Sequence, residues 1–100
     1  MKFMWVAMMF GLFATTALAQ ITYEGGDGTS MANAVVIAGA MGESDGVDSE
    51  YVWLDQNFPG YASDGQALLQ DSAKVYDLLT IHHQGKKYEV YFDITGYFGK

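Results

Sequence analysis

Residues 86–95 read KKYEVYFDIT, the most regular alternation in the chain: Tyr88, Val90, Phe92 and Ile94 fall on one side, Glu89, Tyr91, Asp93 and Thr95 on the other. A period of two marks a strand with one face against a core. Upstream, residues 74–83 (KVYDLLTIHH) form a second extended run, and Gln84 and Gly85 between them supply a two-residue hairpin turn. Such a turn sets the register. It opposes His83 to Lys86, Ile81 to Tyr88, Leu79 to Val90, Asp77 to Phe92 and Val75 to Ile94. Asp77 therefore lands on the apolar face. A carboxylate there is costly unless donors satisfy it, so Asp77 is expected to be buried and hydrogen-bonded in a structural role. The expected donors are backbone N–H groups of residues 24–30, or a hydroxyl or lysine from the tail. The competing expectation is a bulge in 74–83 that turns Asp77 out to water.

The remaining segments give the hairpin something to pack against. Residues 34–40 (AVVIAGA) are short and β-branched and read as a buried strand, and residues 66–70 (QALLQ) as another short one. Residues 21–30 are glycine-rich and read as an irregular lead-in. After the polar turn at 41–46, Asp45 is expected to cap a helix, with Val47, Tyr51, Leu54 and Phe58 on its apolar face. Pro59 and Gly60 end it. The order is strand, helix and three strands. The simplest arrangement that buries both apolar stripes is an α+β fold: a small antiparallel sheet of about four strands with one helix packed on one face.

Residues 1–20 read MKFMWVAMMFGLFATTALAQ: a lysine, an apolar run, then small residues at Ala17 and Ala19. This is the layout of a secretory signal peptide over 1–19, followed by a single domain over 20–100 in the periplasm or outside the cell. The apolar run falls short of the roughly 20 residues that span a bilayer. No lysine or arginine follows it until Lys74, so a stop-transfer flank is missing. Small secreted domains often rely on disulfides, but this chain has no cysteine. Its core must hold by packing, and an aromatic content of 15% supplies the large side chains to do so. The formal net charge is −7, with no arginine. Clustered cations are what phosphate backbones need, so nucleic acid is not an expected partner. Membrane insertion after signal cleavage is not expected either. A partner, if any, belongs among envelope or extracellular proteins.

Residues 27–40 (DGTSMANAVVIAGA) resemble the loop that carries the nucleophilic serine of the subtilisin family, with Ser30 in the serine's place. The departures are large. Asn33, Ala34 and Val35 stand where the family has Pro-His and one more residue, and both histidines, His82 and His83, lie far downstream. A serine needs a base within hydrogen-bond reach, itself oriented by a third group. Ser30 is therefore read as a turn cap before a strand. The two histidines are adjacent on one strand and point to opposite faces, which speaks against a shared metal. Glu43, Asp45, Asp48 and Glu50 gather acids that calcium would favour, but not at EF-hand spacing, and they read first as a charged helix N-terminus. Residues 24–28 (EGGDG) lack the lysine of a phosphate loop. Trp53 and Tyr61 fit either core packing or a binding surface.

The segments YEGGDG (23–28), SEYVWL (49–54), FPGY (58–61), VYDLLTI (75–81) and VYFDITGYFGK (90–100) together resemble a family of small exported bacterial proteins of unknown function. The resemblance covers most of residues 20–100 and implies an exported, free-standing domain, with no activity or catalytic residues attached. The expectation is an acidic, non-enzymatic binding or structural protein without a cofactor. The alternatives are a small serine hydrolase using Ser30 with His82 or His83, and a calcium-dependent module using the acids of 43–50. Intact-mass analysis of protein recovered outside the cytoplasm is expected to give a chain beginning at Gln20. A membrane-bound chain that keeps Met1 would overturn the export reading.

Overall fold

A computed structural model of the chain describes residues 20–100; the expected signal peptide lies outside them. Five strands and one helix follow in the order β1 (Thr22–Gly25), β2 (Val35–Ala38), α1 (Glu43–Asn57), β3 (Ala62–Asp71), β4 (Lys74–His83) and β5 (Lys86–Asp93). The strands form one sheet in the spatial order β1-β2-β5-β4-β3. The fold is α+β, a small sheet with one helix on it. Among the described residues no helix is long and apolar enough to cross a membrane.

The β4–β5 hairpin has the register its turn dictates. Asp77 opposes Phe92, Leu79 opposes Val90, Ile81 opposes Tyr88 and His83 opposes Lys86. Gln84 (φ 53°) and Gly85 (φ 78°) both take positive φ, the turn geometry whose twist matches that of paired strands. Beyond the end of β5, the Ile94 N–H donates to the Val75 carbonyl at 2.9 Å.

The sheet has five strands rather than about four, and it is mixed rather than antiparallel. β2 runs parallel to β5, pairing Val35 with Phe92 and Val36 with Asp93. Parallel neighbours need a long crossover, and α1 together with the β3–β4 hairpin provides it. The additional strand is β1. The lead-in expected to be irregular pairs antiparallel with β2, setting Tyr23 opposite Ile37. It lacks the alternation that marks a strand in isolation, so its partner defines it. β3 also runs well past the expected 66–70. Its first half, ASDGQ, holds weak strand formers, and its pairing with β4 carries it through an irregularity between Ser63 and Gly65.

α1 differs in both its start and its face. It begins at Glu43 with Gly42 as N-cap and no side-chain cap, rather than at Asp45. Its buried residues are Gly46, Ser49, Glu50 and Leu54, while Val47 and Tyr51 each remain 37% exposed. The rotation has a steric origin. Gly46 lies flat against the Tyr97 ring, so a β-carbon there would fall inside the ring's van der Waals envelope. Only a glycine lets the helix come down this close, and its approach turns the 46–50–54 line inward. Below it, Leu54, Leu79, Ile81, Phe92, Val35 and Ile37 form the centre of the core. Trp53 meets Phe92 edge-on at 5.5 Å, and Phe58 packs on Tyr88 at 4.8 Å. Trp53 and Tyr61 are both half-buried against this cluster, so each serves core packing while keeping a solvent edge.

Gly46→Ala tests the close approach. Alanine is favoured over glycine within a helix by about 1 kcal/mol, but overpacking a buried contact costs about 1–3 kcal/mol. The Tyr97 ring is buried and cannot swing away cheaply. Net destabilisation in urea unfolding is therefore expected, and a stabilised variant would contradict this packing.

Candidate functional site

Turning the 46–50–54 line of α1 toward the sheet brings an acid into the core. Glu50 is 1% exposed and Asp77, on β4, is 5% exposed. The two carboxyl groups are hydrogen-bonded to each other. A third group completes the set. Beyond β5 the chain makes a short turn in which the N–H groups of Tyr97 and Phe98 donate to the Ile94 carbonyl at 3.1 and 3.0 Å. That turn aims the buried Tyr97 side chain under α1, where its hydroxyl donates to Glu50 Oε2.

Two carboxylates in contact away from water cannot both ionise without a large penalty. Glu50 is pushed up to about 9, first by burial and then by the neighbouring Asp77, with the Tyr97 hydroxyl opposing the shift in part. The Tyr97 phenol is itself raised well above its ordinary range by burial and by Glu50. At neutral pH Glu50 therefore keeps its proton. It donates to Asp77 and accepts from Tyr97, so a single relay joins the helix, the sheet and the C-terminal turn.

The donors expected for Asp77 are engaged elsewhere. Asp93 is the other buried aspartate, on the opposite face of the sheet. Its Oδ1 accepts the Thr95 N–H at 3.0 Å and the Thr95 hydroxyl at 2.7 Å, and Lys74 Nζ lies 3.6 Å from its Oδ2. The tail hydroxyl of Thr95 thus serves Asp93, beside Lys74 of β4. In the lead-in, Gly26 and Gly28 donate to the carbonyls of Ala34 and Asn33. Asp77 does not fasten the lead-in to the sheet; it meets a protonated acid from the helix.

Above this pair a crevice of about 230 Å³ opens between α1, β3 and the C-terminal turn. Asp77 and Tyr97 line its floor, Val47, Leu68 and Phe98 its walls, and Glu43 and Gln66 its rim. The three wall residues are exposed large apolar side chains. A larger depression of about 380 Å³ lies on the other sheet face, lined in part by Asp64, Thr80, His82 and Lys87. It is bordered by exposed side chains, whereas the smaller crevice reaches buried ionisable groups, which is the more usual mark of a ligand site.

The four acids of the helix start are parted by this arrangement. Glu43, Asp45 and Asp48 are exposed while Glu50 points inward. Glu43 Oε2 accepts the Gly99 N–H at 2.5 Å, tying the tail to the helix. Asp45 Oδ2 accepts the Met41 N–H at 3.4 Å. Among the described residues no three histidine, aspartate or glutamate side chains converge as a metal site. Ser30 sits in a turn. The Asn33 N–H reaches its Oγ at 3.2 Å and its carbonyl at 3.1 Å. His82 is paired with Asp64 and His83 Nε2 is 3.1 Å from the Pro59 carbonyl, so neither histidine is bonded to Ser30.

Asp77 is the one member of the relay that stands out in the sequence. Glu50 is hidden among neighbouring acids, and its signal is the line Gly46, Glu50, Leu54 at intervals of four, which the more apolar line through Val47 obscures. Tyr97 belongs to an aromatic tail whose target cannot be read locally.

Glu50→Gln tests the shared proton. The folded chain holds a proton on Glu50 up to about pH 9, whereas the unfolded chain releases it near the ordinary 4.5. Unfolding therefore releases a proton across that window, and stability from this group falls as pH rises through it, by up to about 1.4 kcal/mol per unit. Glutamine can still donate to Asp77 and accept from Tyr97 but cannot ionise. The variant is expected to lose that slope and to be more stable than wild type at pH 8; an unchanged slope would place the titration elsewhere. The chain matches no protein-family model, no curated protein and no solved structure, so these residues alone carry the functional reading.

Proposed function

We propose that the protein is an exported, non-enzymatic binding protein whose small ligand seats in the crevice between α1, β3 and the C-terminal turn. The observation that carries this reading is the juxtaposition of exposed Val47, Leu68 and Phe98 with the buried Asp77 and Tyr97 beneath them. Exposed apolar walls are a cost in water, and a buried acid pair is a cost in the core. A ligand with an apolar body and a polar end reduces both. The volume is below the roughly 300–1,000 Å³ of pockets that enclose drug-sized molecules, so the ligand is fragment-sized.

Binding suits these groups better than catalysis. A general acid works best with a pKa near the operating pH and must reach the reacting atom. Glu50 holds its proton to about pH 9, is almost wholly enclosed, and is engaged by Asp77 and Tyr97. Export follows from the layout of residues 1–19, and the acidity of the chain (pI about 4.3) suits a soluble extracytoplasmic life.

The test is an amide chemical-shift screen of amphipathic fragments against residues 20–100. Binders are expected to move the signals of Val47, Leu68, Asp77 and Phe98 together. Leu68→Ser combined with Phe98→Ala removes two exposed wall residues at little cost to the fold, and is expected to weaken those binders about tenfold or more. Binders that leave the crevice signals still would contradict this placement.

A further inference from the structure

The crevice carries a charge preference as well as an apolar one, and the following rests on the binding role proposed above. The floor is short of donors. Glu50 and Asp77 present four carboxyl oxygens, and the one side-chain donor that reaches them besides their shared proton is the Tyr97 hydroxyl, which goes to Glu50. Asp77 is more than nine-tenths buried and lines the cavity, and no N–H or hydroxyl of the described residues other than the Glu50 acid is directed at it. Of the titratable groups lining this space, α1 contributes Glu43, β4 Asp77 and the C-terminal turn the Tyr97 phenol, with Glu50 behind them in contact with Asp77 and Tyr97; β3 contributes the uncharged Gln66 and Leu68. None of the lining residues is a lysine or a histidine.

We propose that the crevice takes a small organic ammonium ion, a protonated primary amine on a short apolar stem. The amine donates to Asp77 on the floor, and the stem lies between Val47, Leu68 and Phe98. An ammonium group has three donors and no acceptor, so it supplies what the acid pair lacks, whereas an anion would meet Glu43 and Asp77 and be repelled. A metal ion is a poorer occupant, because Val47, Leu68 and Phe98 offer it no oxygens and no three acid or histidine side chains of the described residues converge on it.

The proton balance follows. Once the ammonium group engages Asp77, the Glu50 proton loses its acceptor and a positive charge stands beside it, so that proton leaves to solvent. One cation enters and one proton departs, leaving the charge of the site unchanged. Affinity then rises with pH, because binding releases a proton, until the amine itself deprotonates near 10, as a lysine side chain does.

Three six-carbon probes test this on the protein spanning residues 20–100: hexylammonium, 1-hexanol and hexanoate, each titrated by amide chemical shift. Hexylammonium is expected to move the Val47, Leu68, Asp77 and Phe98 signals and to bind at least tenfold tighter than hexanol, with hexanoate weakest. Its affinity is expected to rise by up to about tenfold per pH unit between pH 6 and 8, the slope set by one released proton. Asp77→Asn is expected to erase the preference for ammonium while leaving hexanol binding in place. Should that variant not fold, the wild-type pH slope decides by itself. Hexanol binding as tightly as hexylammonium, or a flat pH dependence, overturns the ammonium assignment and leaves the crevice as a binding site. Failure of all three probes to move these signals overturns both.

Discussion

The contact between Glu50 and Asp77 is the point on which the rest of the arrangement turns. Helix, sheet and C-terminal turn each contribute one side chain to the relay Tyr97, Glu50, Asp77. An acid pair inside a small cysteine-free core is an expensive feature, since desolvated like charges oppose each other. It is tolerable because one proton is retained and one hydroxyl is delivered. Those two conditions place strict demands on geometry. α1 must lie low enough for Glu50 to reach β4, which requires a glycine at position 46, and the tail must turn back so that Tyr97 passes beneath the helix. The exposure of Val47 is a consequence of the same rotation, so the apolar wall of the crevice and the acid on its floor have one cause.

That coupling explains which parts of the fold are legible in the sequence. The β4–β5 hairpin is local. Alternation at 88–94 and the Gln84-Gly85 turn suffice to set its register, and the register alone exposes Asp77 as an anomaly. The helix exists where a break at Pro59 and the preceding pattern place it, but its buried face differs from the one the pattern predicts. Val47, Tyr51, Leu54 and Phe58 make the better hydrophobic line, and the structure buries the line through Gly46, Glu50 and Leu54 instead. Periodicity ranks side chains by transfer free energy, and it has no access to a close approach with a residue some fifty positions away. β1 and the first half of β3 were hidden for a related reason. Their pairing partners, β2 and β4, define them as strands, while their own residues include several weak strand formers.

The site was legible only as an unresolved carboxylate. Asp77 could be placed on the apolar face, but its partner could not. The tail hydroxyl of Thr95 serves Asp93 on the other face of the sheet instead. Glu50 looked like one of several acids at a helix start, and nothing local separates it from Glu43, Asp45 and Asp48. What separates it is the 100° turn per residue of the helix combined with the orientation of α1 on the sheet, a tertiary fact. Ser30 shows the opposite failure: a motif-like run with nothing behind it, since its hydroxyl closes a turn on Asn33.

The state of the Glu50 carboxyl tests this account most directly. Its side-chain carboxyl carbon, followed by ¹³C NMR from pH 4 to 10 on the folded protein, reports the proton without substitution or ligand. A resonance that keeps the protonated shift through neutral pH and moves only as pH approaches about 9 is the expected result. A titration centred near the ordinary glutamate value of 4.5 would mean that Glu50 is ionised at pH 7, and the relay joining α1, β4 and Tyr97 would not exist as described.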